Sequence, residues 1–398
     1  MARSISKLYC GITGRLAELL PLRRLAGLVP IGRLAELLPL RRLAGLVPIG
    51  RLAELLPLRR LAGLVPIGRL AELLPLRHIA GLLLLMAAVT ACGERDHVTV
   101  LKLGHGLSPS HSVHQGMVYM AELVAEKSDG HMRIDVYPSE QLGTERENLE
   151  MLQIGSLAIT KVSAAAIESF APSYRVLNLP YIFTGREHTE RVLDSDIGRE
   201  ILMDGEEFWL RGLAFYDSGS RSFYTKDRPV IHPDDLRGLK IRVQPSPSAV
   251  NMVRAMGGSP TPISWGELYT ALQGGVVDGA ENNPPSFYLS NHFEVCGYYS
   301  LNEHSTVPDV LIISTKIWGT LTEEEQRWVQ EAATESVAYQ RKLWAESERH
   351  SLEMVKAAGV EVLYPDKQPF IEAVQPLYEQ YMADPQMRRM IERIRALE

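Results

Sequence analysis

The stretch Pro262-Ile-Ser-Trp-Gly-Glu-Leu-Tyr-Thr-Ala-Leu-Gln-Gly-Gly-Val-Val-Asp-Gly-Ala-Glu-Asn-Asn283 decides the reading of this chain. Ser264, with Glu267 three residues on, has the form of a capping box and predicts a helix from Trp265 to Gln273. Gly274 and Gly275 end that helix, and Val276-Val277 predicts a short strand. An indole stands at one end of the unit and a Glu-Asn-Asn cluster at the other. Just upstream, Gly238-Leu-Lys-Ile-Arg-Val243 alternates apolar Leu239, Ile241 and Val243 with basic Lys240 and Arg242. A strand of that pattern turns Arg242 away from its core face. An arginine, an aromatic wall and a carboxamide together suit a small organic acid.

Further out, the chain alternates strand and helix. Val98–Leu103 and Met132–Val136 read as strands, and between them Val113, Met117, Met120 and Val124 share one face of a helix. Thr144 with Glu147 caps a helix that ends at Gly155, and Leu157–Val162 is a buried strand delivering Ser163 at its C-terminal end. Such alternation builds helix-covered sheets whose strand C-termini bear ligand sites. A second lobe is expected to begin near Gly219. Thr322 and Glu325 open one more capping box, after which no glycine or proline interrupts the chain until Gly359. A helix of that length, roughly 55 Å, exceeds the diameter of one lobe.

These strings, together with Tyr137-Pro-Ser-Glu-Gln-Leu-Gly143, Asn178-Leu-Pro-Tyr-Ile-Phe183, Ser218-Gly-Ser-Arg221 and Leu236-Arg-Gly-Leu-Lys-Ile-Arg242, resemble the DctP family, the periplasmic solute receptors of TRAP transporters. The resemblance runs through residues 97–365 in the family's order. It implies an α/β fold of two lobes with a ligand cleft between them and a long helix spanning both. Lobe I would hold about residues 97–218 and 308–345, and lobe II about 219–307 and 346–398. It also implies roles. Arg242 would pair bidentately with the ligand carboxylate, a task suited to a guanidinium because its fork matches both oxygens and keeps its charge in a closed cleft. Arg221 would touch the ligand as a second arginine, although one residue more separates it from Arg242 than in the family pattern. Trp265 would wall the carbon skeleton and Asn282 would donate to the carboxylate. Glu281, His304, His105, Ser163 and Glu145 fall where the family lines the rest of the cleft.

Asp278-Gly-Ala-Glu-Asn-Asn-Pro-Pro-Ser-Phe287 and Asn302-Glu-His304 resemble the receptors for uronates and related sugar acids. A hexuronate such as glucuronate or galacturonate is therefore the expected ligand, with a C4-dicarboxylate the alternative. The expected partners are the small and large membrane subunits of the permease, and a monomer is expected.

The front of the chain is different in kind. Residues 15–68 are three identical copies of an 18-residue unit, followed by a truncated copy, Arg69–Arg77. Prolines at 21, 30, 39 and 48 bar any helix longer than two turns, so residues 1–78 read as a leader translated from a mis-assigned start. Residues 79–92 combine a short apolar run with Val-Thr-Ala-Cys, which resembles a lipoprotein signal and predicts lipidation at Cys92. The solute-binding domain is then 93–398. Residues 1–92 carry 13 basic and 4 acidic side chains, whereas residues 93–398 carry 29 and 44, a net charge of −15. So acidic a domain is a poor partner for nucleic acid. Cys296 is the one cysteine beyond Cys92, so no intramolecular disulfide is expected. The chain has no Gly-x-Ser-x-Gly, His-Glu-x-x-His or phosphate loop, and His111-Ser-Val-His114 lacks acidic or cysteine companions. No enzyme activity, metal or cofactor is expected.

Overall fold

The computed structural model describes residues 98–398. The repeats, the signal-like segment and Cys92 lie outside the described residues. Among the described residues, eleven strands form two sheets. In the first, β1 (Thr99–Gly104) lies parallel between β2 (Met132–Tyr137) and β3 (Ile159–Ser163). Next come the antiparallel β10 (Asp309–Ser314) and, at the edge, β4 (Leu210–Tyr216), giving the order β2-β1-β3-β10-β4. The second sheet runs β11-β9-β5-β8-β6-β7. Its members are β5 (Ser220–Thr225), β6 (Lys240–Val243), β7 (Ser259–Pro262), β8 (Gly279–Asn282), β9 (Tyr298–Thr306) and β11 (Glu361–Leu363).

Both sheets are covered on both faces, which is why their central strands are buried nearly throughout. Along β10, Val310 and Ile312 pack into one apolar cluster while Leu311 and Ile313 pack into another on the opposite face. In β5 the neighbours Phe223 and Tyr224 divide in the same way between the two clusters flanking the second sheet. Each lobe is thus a sheet between helical layers.

Among the described residues, three connections run from one sheet to the other. β4 passes into β5 through Asp217-Ser218-Gly219, and β9 returns to β10 through Val307-Pro308. The two crossings run side by side: Ser220 pairs with Thr306 in one sheet and Tyr216 with Asp309 in the other. The Ser218 hydroxyl donates to the Val307 carbonyl between them. Gly219 has φ +57°, and a Cβ there would lie 2.7 Å from Glu348 Oε1, so the turn requires glycine. The third connection is the helix Glu323–Ala357, 35 residues long, opened by the Thr322/Glu325 capping box. It packs on the helix Ser112–Lys127 of the first lobe and on Pro284–Leu289 of the second. Its buried Trp344 belongs to a first-lobe core and its Val355 to a second-lobe core. The Gln340 amide holds the first crossing by accepting from Asp217 N at 2.9 Å and donating to its carbonyl at 2.8 Å.

Three expectations need correction. The helix expected from Trp265 begins at Leu268, because Ser264 and Glu267 bond to each other through their side chains rather than capping backbone donors. The Gly266 N–H is meanwhile taken by Glu140 Oε1 of the other lobe, at 3.1 Å. The strand expected at Val276-Val277 lies later, at Gly279–Asn282, where Gly279 and Ala280 find partners on β5 and β6. Finally, the helix Pro385–Arg395 turns back to the first lobe. Its stripe Met387, Met390, Ile391 and Ile394 joins the core of Val162, Val310 and Ile312, so the tail of the chain is not all second-lobe. Among the described residues no helix is long and apolar enough to cross a membrane.

Candidate functional site

Between the lobes lies a cleft of about 1090 Å3, measured to its open mouth. The first lobe contributes Gly106, Leu107, His111, Glu145, Arg146, Lys161, Ser163 and Phe170, and the second contributes Arg221, Arg242, Gln244, Trp265 and Asn282. Parallel β6 ends at the cleft, and alternation along it puts Ile241 and Val243 in the core and Arg242 on the other face. The Arg242 side chain is buried. Its Nε donates to the Ile263 carbonyl at 2.9 Å, its guanidinium lies 5.8 Å from the centre of the Trp265 ring, and its buried Nη1 has no partner among the described residues. Burial lowers its pKa, yet a guanidinium starts so high that it stays charged. The cleft therefore presents a desolvated cation that has no counter-ion among the described residues.

Arg221 is a contrast. Its Nε donates to Glu281 Oε2 at 2.5 Å and its Nη2 to Glu281 Oε1 at 2.9 Å and to the Glu281 carbonyl at 2.8 Å. Nη1 donates to Asn282 Oδ1 at 2.7 Å. Four of the five N–H groups of a guanidinium are thus engaged, leaving one on Nη1 for a ligand. Burial alone would raise the Glu281 pKa, but Arg221 and His304 outweigh it and hold the carboxyl at about 2. Asn282 Oδ1 also accepts from Asn283 N at 2.9 Å, which orients the amide so that its NH2 is left to donate.

The structure brings Arg242, Arg221, Asn282, Trp265, Ser163 and Glu145 together on the cleft wall. It does not bring Glu281, His304 and His105 there. Glu281 sits behind Arg221 as its counter-ion, because an arginine buried on β5 needs one and β8 is its neighbour in the sheet. His304 lies deeper still, its ring tilted by 30° against that of Phe223 and its Nδ1 3.0 Å from Asn302 Oδ1; its Nε2 is 3.5 Å from Glu281 Oε2, too far for a good hydrogen bond. His105 Nδ1 accepts from Leu107 N at 3.1 Å, which places its proton on Nε2, facing His114 Nδ1 at 3.0 Å. Burial holds this imidazole near pKa 2, so it shapes the loop before Gly106 as a neutral group.

Sequence reading missed Lys161 and Asp309. Lys161 stands in the middle of buried β3 and Asp309 begins β10, and the pairing of Asp309 with Ser163 aligns the two strands. Lys161 Nζ donates to Glu145 Oε1 at 3.2 Å and to Asp309 Oδ1 at 3.1 Å. A lysine within an otherwise uncharged buried strand, Ile159-Thr-Lys-Val-Ser163, was the available signal. The lobes also touch across the cleft. Ser163 Oγ lies 3.4 Å from Gln244 Oε1, and Glu168 Oε1 of the first lobe accepts from Ser246 Oγ at 2.6 Å and Ser248 N at 2.8 Å.

A deep cleft between two α/β lobes, with a guanidinium in its wall that is unpaired among the described residues, has the form of a solute-binding receptor for a small anion. The chain belongs to the family of bacterial extracellular solute-binding proteins, family 7 (DctP), whose family model matches residues 103–384. It is 41% identical to a TRAP periplasmic solute binding protein from Xanthobacter autotrophicus Py2 with bound β-D-galacturonate, over 75% of this chain and 100% of that one, with a TM-score of 0.73. A TRAP periplasmic solute binding protein from Roseobacter denitrificans with bound β-D-glucuronate is 37% identical over 75% of this chain and 100% of its own, again with a TM-score of 0.73. The C4-dicarboxylate-binding periplasmic protein DctP of Rhodobacter capsulatus is 29% identical, covering 71% of this chain and 86% of that relative. Members of this family are receptors rather than enzymes, and the two-lobe α/β fold agrees with that expected from the sequence.

Proposed function

We propose that the protein is the extracytoplasmic receptor of a TRAP transporter, that it binds a hexuronate, and that it hands the ligand to the membrane permease. The observation that carries this reading is the free guanidinium of Arg242. Among the described residues it is the one arginine of the cleft that is buried without a counter-ion, since Arg221 is neutralised by Glu281 and the more exposed Arg146 pairs with Glu150 at 3.0 Å. One such cation matches one carboxylate. A C4-dicarboxylate would carry a second carboxylate into a wall already holding Glu145 and Asp309, where like charge disfavours it. The uronate-bound structures of similar proteins support the same ligand class.

Calorimetric titration with glucuronate, galacturonate, succinate and malate tests the assignment. Both uronates should bind more tightly than either dicarboxylate, and the reverse order would make the protein a dicarboxylate receptor. No heat with any of the four at millimolar ligand would remove the receptor reading for this ligand set.

The location that goes with this role is the periplasm, with a diacylglyceryl thioether on Cys92 as membrane tether and a monomeric receptor domain. Val-Thr-Ala-Cys after an apolar run supports the tether. Mass spectrometry of the native N-terminus should find lipidated Cys92 as the first residue; a mature chain retaining the repeats would count against it.

A further inference from the structure

The helix Pro247–Ala255 of the second lobe is not completed by its own lobe. An α-helix leaves four backbone N–H groups at its start without partners inside the helix. Here Ser246 N donates to the Gln244 carbonyl at 2.7 Å, Pro247 has no N–H, and Ala249 N donates to the Ser246 hydroxyl at 3.2 Å. The remaining group, Ser248 N, donates at 2.8 Å to Oε1 of Glu168, which belongs to the first lobe. The same oxygen accepts from the Ser246 hydroxyl at 2.6 Å. On its own side the carboxylate is held by Asn178, whose Nδ2 donates to Oε2 at 2.8 Å. Glu168 is only 1% exposed, and it follows the short helix Ala164–Ile167 that β3 leads into. It is not part of the cleft wall, but its neighbour Ser169 is, and so are Gln244 and Pro245 just before the serine. The carboxylate therefore sits where the two walls meet, beside the ligand space rather than in it.

We infer that Glu168 is a positioning residue for capture: it completes a helix of the opposite lobe only while the walls are together, and so sets how long a bound ligand is held without touching it. The inference rests on the receptor reading above and goes beyond it, to a residue outside the ligand's reach. Parting the walls breaks the bonds of 2.6 and 2.8 Å and hands the Ser248 N–H, the Ser246 hydroxyl and the carboxylate over to water. Hydrogen bonds to a carboxylate are stronger than those between neutral groups, and stronger again where water is excluded. The positive end of the helix dipole adds to the attraction. The joined arrangement is favoured accordingly. This contribution is blind to the ligand's identity. Any ligand that leaves through the parted walls waits for the same two bonds to break, and discrimination between ligands stays with the cleft wall.

Stopped-flow release of glucuronate and galacturonate from the lipid-free receptor tests this, followed by tryptophan fluorescence because Trp265 lines the cleft. Glu168→Ala should release both uronates about 10- to 100-fold faster, the range for losing hydrogen bonds to a charged group. The factor should be the same for the two, and association should be no slower. Glu168→Gln keeps a neutral acceptor and should fall between Glu168→Ala and the parent; it carries the test if Glu168→Ala does not fold. Spin labels at the exposed Glu122 and Arg254, one on each lobe, read the arrangement directly, and without ligand Glu168→Ala should show wider separations than the parent. A merely structural role would lower the unfolding midpoint while leaving release rates and separations where they were, and that result would overturn the inference. So would faster release of only one of the two uronates, which would make Glu168 a reader of the ligand. If the unaltered protein binds neither uronate, the receptor reading for that ligand class fails, and the label separations decide alone: coincident distributions in parent and Glu168→Ala would sink the latch as well.

Discussion

Replacing Glu281 with alanine is expected to destabilise the protein by about 3–5 kcal/mol, because it leaves the Arg221 guanidinium buried without its counter-ion. Both side chains are almost wholly inaccessible, at 6% and 2%. Chemical denaturation of the ligand-free protein would show the loss as a lower midpoint with an unchanged slope. Replacing both partners, as Arg221→Met with Glu281→Leu, should recover most of it, since no unpaired charge then remains. If Glu281→Ala unfolds at the same midpoint as the parent, the pair is not a structural element. The pair should also make the fold acid-sensitive. Its carboxyl is held at about 2 against an ordinary value of 4.5, so its contribution is complete above the ordinary value and is lost as pH falls through about 2.

Arg242 should behave in the opposite way. Arg242→Met keeps the apolar stem but removes the cation, and uronate binding should weaken by about 2–5 kcal/mol as the ligand carboxylate loses its buried partner. Even Arg242→Lys, which keeps the charge and loses the fork, should cost about 2 kcal/mol. Stability of the ligand-free protein should not fall in Arg242→Met, since what is removed is a buried cation with only Nε engaged, on the Ile263 carbonyl. Calorimetry and thermal denaturation of the same preparation check both halves. Wild-type affinity in either variant would show that another group holds the carboxylate. With the expected outcomes, the two arginines of one cleft are separated experimentally, one by stability and the other by binding.

The difference between them was only half legible in the sequence. Arg242 could be read because β6 alternates with period two, and the helices at Thr144/Glu147 and Thr322/Glu325 because their capping boxes are local. Ser264/Glu267 has the same spelling and failed: its side chains bond to each other, and the neighbouring Gly266 N–H is drawn to Glu140, 126 residues away. Glu281 and His304 were placed in the cleft by resemblance, but which side of β8 and β9 faces ligand depends on the partner strand. Arg221 on β5 turns Glu281 into its counter-ion. Lys161 and Asp309 were missed for a related reason. They lie far apart in the chain and acquire a meaning only when β3 and β10 pair. What is set within one turn or one strand is legible; what depends on strand pairing across the chain is not.

The contact between Glu140 and Gly266 bears on the time course of capture. A side chain at 266 would place its Cβ 2.2 Å from Glu140 Oε2, so the two lips meet here because one of them is bare backbone. Burial raises the Glu140 pKa, which weakens this carboxylate as a hydrogen-bond acceptor once it begins to take up protons. If entry requires these lips to part, the opening step comes before capture. The frequency of parting then limits association for every acid alike, and preference among acids is expressed in how long each one stays.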